Sequence, residues 1–204
     1  PGYDKGRLHP ISEFARRLRR QASITYSESF TTNTTVNGLS SFNPTLINFK
    51  NYNTAFGSIQ KINARQGAIT IFQENKSSRV LVEKSIINTA DGGGFVGLSK
   101  DILSEQDPYD GDYGICTNPE SHASYGFRDY FIDIKRGAVI RLSQNGIEKI
   151  SDVGMKDYFR DSSDSYMSLV KEMKIFGGYD PRYDEYILSF QEIIFSYLID
   201  QNTS

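Results

Sequence analysis

Apolar and polar positions alternate along this chain in short runs, and glycine, asparagine and proline punctuate them. That rhythm predicts strands and tight turns rather than long helices. Ser58–Ile62 is one predicted strand and Asn63–Gly67 a turn. Ala68–Gln73 is a second strand, with Ile69 and Ile71 on one face and Thr70 and Phe72 on the other. Glu74–Ser78 turns the chain again and Arg79–Glu83 is a third strand. The same series returns later. Asp129–Ile134 alternates, with Tyr130, Ile132 and Ile134 sharing a face, and Lys135-Arg136-Gly137 turns. Ala138–Ser143 is the next strand, Gln144-Asn145-Gly146 a hairpin turn and Ile147–Ser151 the last strand. Asn-Gly is a strong hairpin signal because both residues tolerate positive φ.

The two series align. "GAITIFQENKSSRVLV" from Gly67 matches "GAVIRLSQNGIEKIS" from Gly137 with a small gap. A Gly-Ala pair opens each middle strand, and Gln and Asn lie near its end. The 70-residue offset exceeds a compact blade repeat of roughly 40–50 residues, and an intervening loop, Gly92–Gly126, is expected to supply the excess. A repeated strand meander is the mark of a propeller or a similar radial β fold. The fold class expected is mainly β with short helices, built of antiparallel meanders and part of a β-propeller.

Helical signals are few. Ile11–Arg20 predicts an N-terminal helix with Ser12 as cap and Ile11, Phe14 and Leu18 on one face. Ser23–Ser27 alternates as a strand, Thr31–Asn37 is a polar run, and Asn37–Pro44 is a turn-rich aromatic loop. Met155–Arg160 predicts a short turn. Ser165–Lys174 predicts a helix capped by Asp164 and stopped by Gly177-Gly178, with Tyr166, Leu169, Val170 and Met173 on one face. Tyr179–Asp184 reads as a Pro-containing turn, Glu185–Phe190 as a strand, and Glu192–Leu198 as a strand or a helix. This divides the chain into residues 1–50, a basic helix with an extended segment, and residues 51–204, the propeller-like part. Beginning at Pro1 and ending in Gln201-Asn202-Thr203-Ser204, it reads as a piece of a larger protein.

Composition narrows the picture. Apolar residues are 38% of the 204, and 13 Tyr and 13 Phe supply the bulk that a core needs in the absence of Trp. The formal charge of −2 gives no global attraction to nucleic acid or acidic membranes. Cys116, the single cysteine, forms no internal disulfide framework and reads as a half-buried thiol. No run approaches the ~20 apolar residues of a membrane span.

Candidate chemistry is sparse. Gly92-Gly93-Gly94-Phe95-Val96-Gly97 matches G-x-G-x-x-G, but a dinucleotide site needs that motif between strand and helix of a βαβ unit. Here it reads as a turn-rich loop, and Leu98 stands where a phosphate-binding loop needs Lys. Asp107, Asp110 and Asp112 cluster as calcium ligands do, without the EF-hand spacing, and read as a solvated acidic loop. His122 lies near Glu120, Ser121 and Ser124, with no nucleophile-elbow sequence around either serine, and His9 is remote. Asp133, Asp180, Asp184 and Glu185 are candidate glycosidase carboxylates only in that spacing in sequence does not reveal spacing in space. Arg16, Arg17, Arg19 and Arg20 fit phosphates, an acidic neighbouring subunit or solvent. No catalytic, cofactor-binding or metal-binding residue is assigned.

Five pieces together carry a family resemblance: "RRLRRQASITYSESF", "VNGLSSFNPTLINFKNYNTAFGSIQKI", "ITIFQENKSSRVLVEKSIINTADGG", "YGICTNPESHASYGFRDYFIDIKRGAVIRLSQNGIEKISDVGMKDYFRD" and "GGYDPRYDEYILSF". In that order they resemble the large tail structural proteins of tailed bacteriophages, most closely the tail-tip muzzle (nozzle-like) protein of crAss-like phages. The resemblance covers roughly residues 16 to 190. It implies a propeller-bearing protein of the phage tail with no catalytic residues and no cofactor. The implied partners are copies of itself around the tail axis, neighbouring tail proteins, and DNA passing through the tail lumen. The leading expectation is a non-catalytic structural role. A receptor- or glycan-binding propeller module of the virion is the second reading, and a tail-associated glycan hydrolase the third.

Overall fold

The computed structural model describes residues 19–28, 30, 32, 35, 37–42, 48–65, 67–88, 94–169 and 174–190. Strands β1 (Ser23–Thr25) and β2 (Phe49–Asn51) pair antiparallel as a ribbon. β3 (Ile59–Arg65), β4 (Ala68–Gln73), β5 (Ser77–Asn88) and β6 (Gly94–Leu103) form the first large sheet in sequential order, and the short β7 (Asp107–Pro108) adds to β5. β8 (Ala123–Tyr125), β9 (Arg128–Asp133), β10 (Ala138–Ser143) and β11 (Gly146–Lys149) form the second, again in sequential order. Helix α1 (Lys156–Leu169) follows, then a second ribbon of β12 (Ile175–Asp180) and β13 (Glu185–Phe190). Every strand pair is antiparallel.

The repeat seen in the sequence is a repeat of structure. Gly67 (φ +70°) and Gly137 (φ +58°) both adopt left-handed backbone immediately before the middle strand of a meander. A Cβ in that conformation is costly, so glycine opens each strand. Asp133 fixes the second turn by accepting from the Arg136 amide at 3.2 Å. β-branched and other apolar residues, with Phe72, then dominate β4 and β10, which suits a pleated surface buried on both sides.

Burial on both sides of the central strands β4, β9 and β10 is the main fact of this fold. On β4, Phe72 enters one apolar cluster with Phe131, Ile140 and Leu142 of the second sheet, while Ile71 enters another with Tyr52, Val80 and Leu103. On β9 and β10, Ile132 and Val139 turn away from Phe72 and pack with Ile175 of β12, Phe159 of α1 and Leu188 of β13. The order of layers is therefore first ribbon, first sheet, second sheet, then second ribbon with α1. Each fully buried Phe or Ile at these seams contributes about 1.5–3 kcal/mol of transfer free energy. Phe72 also meets Phe131 edge-on, with ring centroids 5.2 Å apart.

The second sheet and second ribbon are joined by four interleaved tyrosines. Tyr125, Tyr179, Tyr130 and Tyr186 stack in that order, with centroids 4.5, 5.1 and 5.4 Å apart and ring planes within 20°. Tyr186 Oη donates to the Ser121 carbonyl. That contact demands close approach: a Cβ on Gly177 would lie 1.9 Å from the same carbonyl oxygen.

Several expectations are corrected. Asn63–Gly67 is not all turn, because β3 continues through Arg65, where the side chain finds a buried carboxylate. β5 begins at Ser77 and runs past Glu83, whose φ of +57° marks a register shift against β6. Gly92–Gly126 is not a connecting loop: it holds β6, β7 and β8, whose glycines and serines hide the alternation. The helix starts at Lys156 rather than near Asp164, with Asp157 favourably placed in its first turn. Gly177-Gly178 does not stop a helix but lies inside β12, and the Tyr179–Asp184 turn is shorter, since Tyr179 and Asp180 are in the strand. Ile11–Leu18, Arg16, Arg17, most of Thr31–Asn37, Gly92, Gly93 and Glu192–Leu198 lie outside the described residues. No helix of the described residues is long and apolar enough to cross a membrane.

Candidate functional site

The seam between the two sheets changes character along its length. Around Phe72 it is apolar, with aromatic rings at its centre. Toward the β3–β4 turn the facing positions become polar, because Asn63, Thr70 and Arg79 align across β3, β4 and β5. The sheets part there into an open groove of about 580 Å³. The first sheet supplies Asn63, Arg65 and Arg79 to its wall, and the second supplies Ser124, Phe127 and Gln144.

Asp129, on β9, anchors this end. Its side chain is fully buried. Oδ2 accepts from Arg65 Nε at 3.2 Å and Nη2 at 2.7 Å, and Oδ1 accepts from Asn63 Nδ2 at 2.8 Å. His122 Nε2 lies 3.3 Å from Oδ1 without hydrogen-bond alignment, and its ring packs on Phe72 with centroids 4.9 Å apart. Burial pushes the Asp129 carboxyl upward. The contacts with His122, Arg65 and Ser124 and the Arg65 charge more than reverse this, so its pKa lies below the ordinary carboxylate range. Asp129 thus holds Arg65 in place and ties β9 to β3.

A second buried carboxylate, Asp133, serves a turn. It accepts from the Cys116 thiol (3.1 Å), the Gly114 amide (3.2 Å) and the Arg136 guanidinium (2.8 Å). Burial first, then the Asp133 charge, push the Cys116 thiol up to about 12.

The remaining candidates disperse. Asp107 pairs with Arg79 (3.0 Å) and Asp112 with Lys76 (2.9 Å), while Asp110 is exposed. No group of metal-ligating side chains forms among the described residues. Glu120 pairs with Lys174, and Ser121 Oγ donates to the Asn118 carbonyl rather than toward His122. Asp180 accepts from the Arg182 amide, Asp184 accepts from the Tyr179 hydroxyl, and Glu185 is exposed opposite Asp180. Arg19 is exposed; Arg20 donates to Asn51 and lies 4.4 Å over the Phe49 ring. Gly94 and Gly97 are in β6. Asp129 was not among the sequence candidates. The available signal was an acidic residue directly before the apolar run Tyr130-Phe131-Ile132, where burial implies a partner charge.

Buried polar groups here brace layers and turns. In the comparison with protein families, residues 10–203 match the model described as crassvirus muzzle protein, a structural component of a phage virion. The chain belongs to the crassvirus muzzle protein family, and with it to the virion tail. No curated protein matches it.

Proposed function

We propose that the chain is a non-catalytic structural element of a muzzle- or nozzle-like tail-tip assembly, with its two large sheets serving as successive blades of a β-propeller. The observation that carries this is the burial of both faces of the central strands β4, β9 and β10 of the two antiparallel sheets. An ordinary antiparallel sheet keeps one face in water, whereas a blade has a neighbour on each side. The outer ribbons have two strands each, fewer than a blade, and such ribbons are marginal alone. In this reading further strands, from the same protein or a copy beside it, complete them. Residues 51–204 form the propeller-like part, and residues 1–50 form a leading segment whose β1 covers the first sheet. The partners are copies around the tail axis, adjoining tail proteins and DNA in the lumen. A net charge of −2 gives a lumen wall little grip on a passing duplex.

A reconstruction of the virion tests this. Density for β3–β6 and β8–β11 is expected at the tail tip as neighbouring four-stranded layers arranged radially. Placement in the capsid shell, or sheets stacked without radial order, refutes it.

A further inference from the structure

We infer that the groove between the two sheets is a binding site for a neutral, hydroxyl-rich oligosaccharide. The groove holds about 580 Å³ and is open to solvent, a size within the range of small-ligand sites. Its best-held donor is Arg65. Asp129 engages Nε and Nη2 of Arg65 and leaves Nη1 for a ligand; Asp107 holds Arg79 by Nη2 alone. Preorganised guanidinium and amide groups bind vicinal hydroxyls at little entropic cost. Asn63, Ser124 and Gln144 add further donors and acceptors. Phe127, 63% exposed on the β8–β9 turn, lines the groove and supplies an aromatic surface for the apolar side of a sugar.

Charge decides the class. Both arginines of the groove are already paired with aspartates, so the site has little net attraction for a polyanion. A nucleic-acid strand or phosphate-rich polymer seated on Arg79 would also face Asp107, the half-exposed ion-pair partner of that arginine beside the groove. A neutral glycan incurs neither penalty. The inference is independent of the tail assembly, since one chain carries the whole groove and binding requires no virion.

The test uses the full chain on an array of neutral oligosaccharides of glucose, galactose, mannose and N-acetylglucosamine, with calorimetry on the strongest hit and heparin as the anionic comparison. Saturable binding with a Kd of about 0.1–1 mM is expected. Phe127→Ala should weaken it about tenfold without lowering the melting temperature. Tyr183→Ala, which removes a 65% exposed ring elsewhere, should leave it unchanged. Absence of binding to every neutral glycan, undiminished binding by Phe127→Ala, or preference for heparin overturns the inference. So does self-association that depends on Phe127 in a chain that binds no sugar.

Discussion

Asp129→Asn keeps the shape of the side chain and removes its charge, which isolates the brace between the two sheets. In the native protein the carboxylate is fully buried and the Arg65 side chain is 24% exposed. Breaking a fully buried ion pair costs about 3–5 kcal/mol because one charge is left uncompensated. Water in the groove reaches Arg65 and recovers part of that, so a loss of about 2–3 kcal/mol is expected. For a chain of this size that lowers the melting temperature by roughly 4–12 °C. The pH dependence is more specific. Asp129 has a folded pKa below its unfolded value near 3.9, so its contribution is complete above about pH 5 and disappears as pH falls through the folded pKa. Thermal unfolding followed by far-UV circular dichroism should show wild type losing this component on acidification, and Asp129→Asn lacking it. Arg65→Met combined with Asp129→Asn should cost about 1–2 kcal/mol less than the sum of the single changes. A variant within about 0.5 kcal/mol of wild type, or one with an unchanged acid slope, would refute the brace.

Three further outcomes follow from the packing. Gly137→Val places a branched side chain at φ +58°, with its Cβ 2.8 Å from the Arg160 Cα; a loss of about 3 kcal/mol or failure to fold is expected, and unchanged melting would contradict the turn assignment. Gly177→Ala forces β12 away from the Ser121 carbonyl and should destabilise by about 3 kcal/mol or more in urea unfolding, whereas a neutral result would mean the ribbon is not docked there. Cys116 should resist a thiol reagent at about pH 8 until the protein unfolds, and rapid modification of the native protein would contradict its burial.

Much of the central architecture was legible because the middle strands obey simple rules. β4, β10 and β13 match their predicted spans because β-branched and aromatic residues alternate between turn signals. The Gly-Ala repeat was visible because a left-handed turn selects glycine in both copies. β12 was not legible, since Gly177-Gly178 resembles a helix stop until the Ser121 carbonyl is seen beside it. The β6–β8 region was missed because its strands are rich in small and polar residues. The site was hidden for another reason. His122 and Ser124 were noticed, but Arg65 and Asp129 meet from strands 64 residues apart, and only the pairing of whole sheets brings them together.

The interleaved rings of Tyr125, Tyr179, Tyr130 and Tyr186 give the molecule a built-in optical gauge. With no tryptophan to mask them, coupling among these stacked phenols should show in the near-ultraviolet dichroism. Because two rings belong to the sheet and two to the ribbon, separation of the layers should be readable without any added dye.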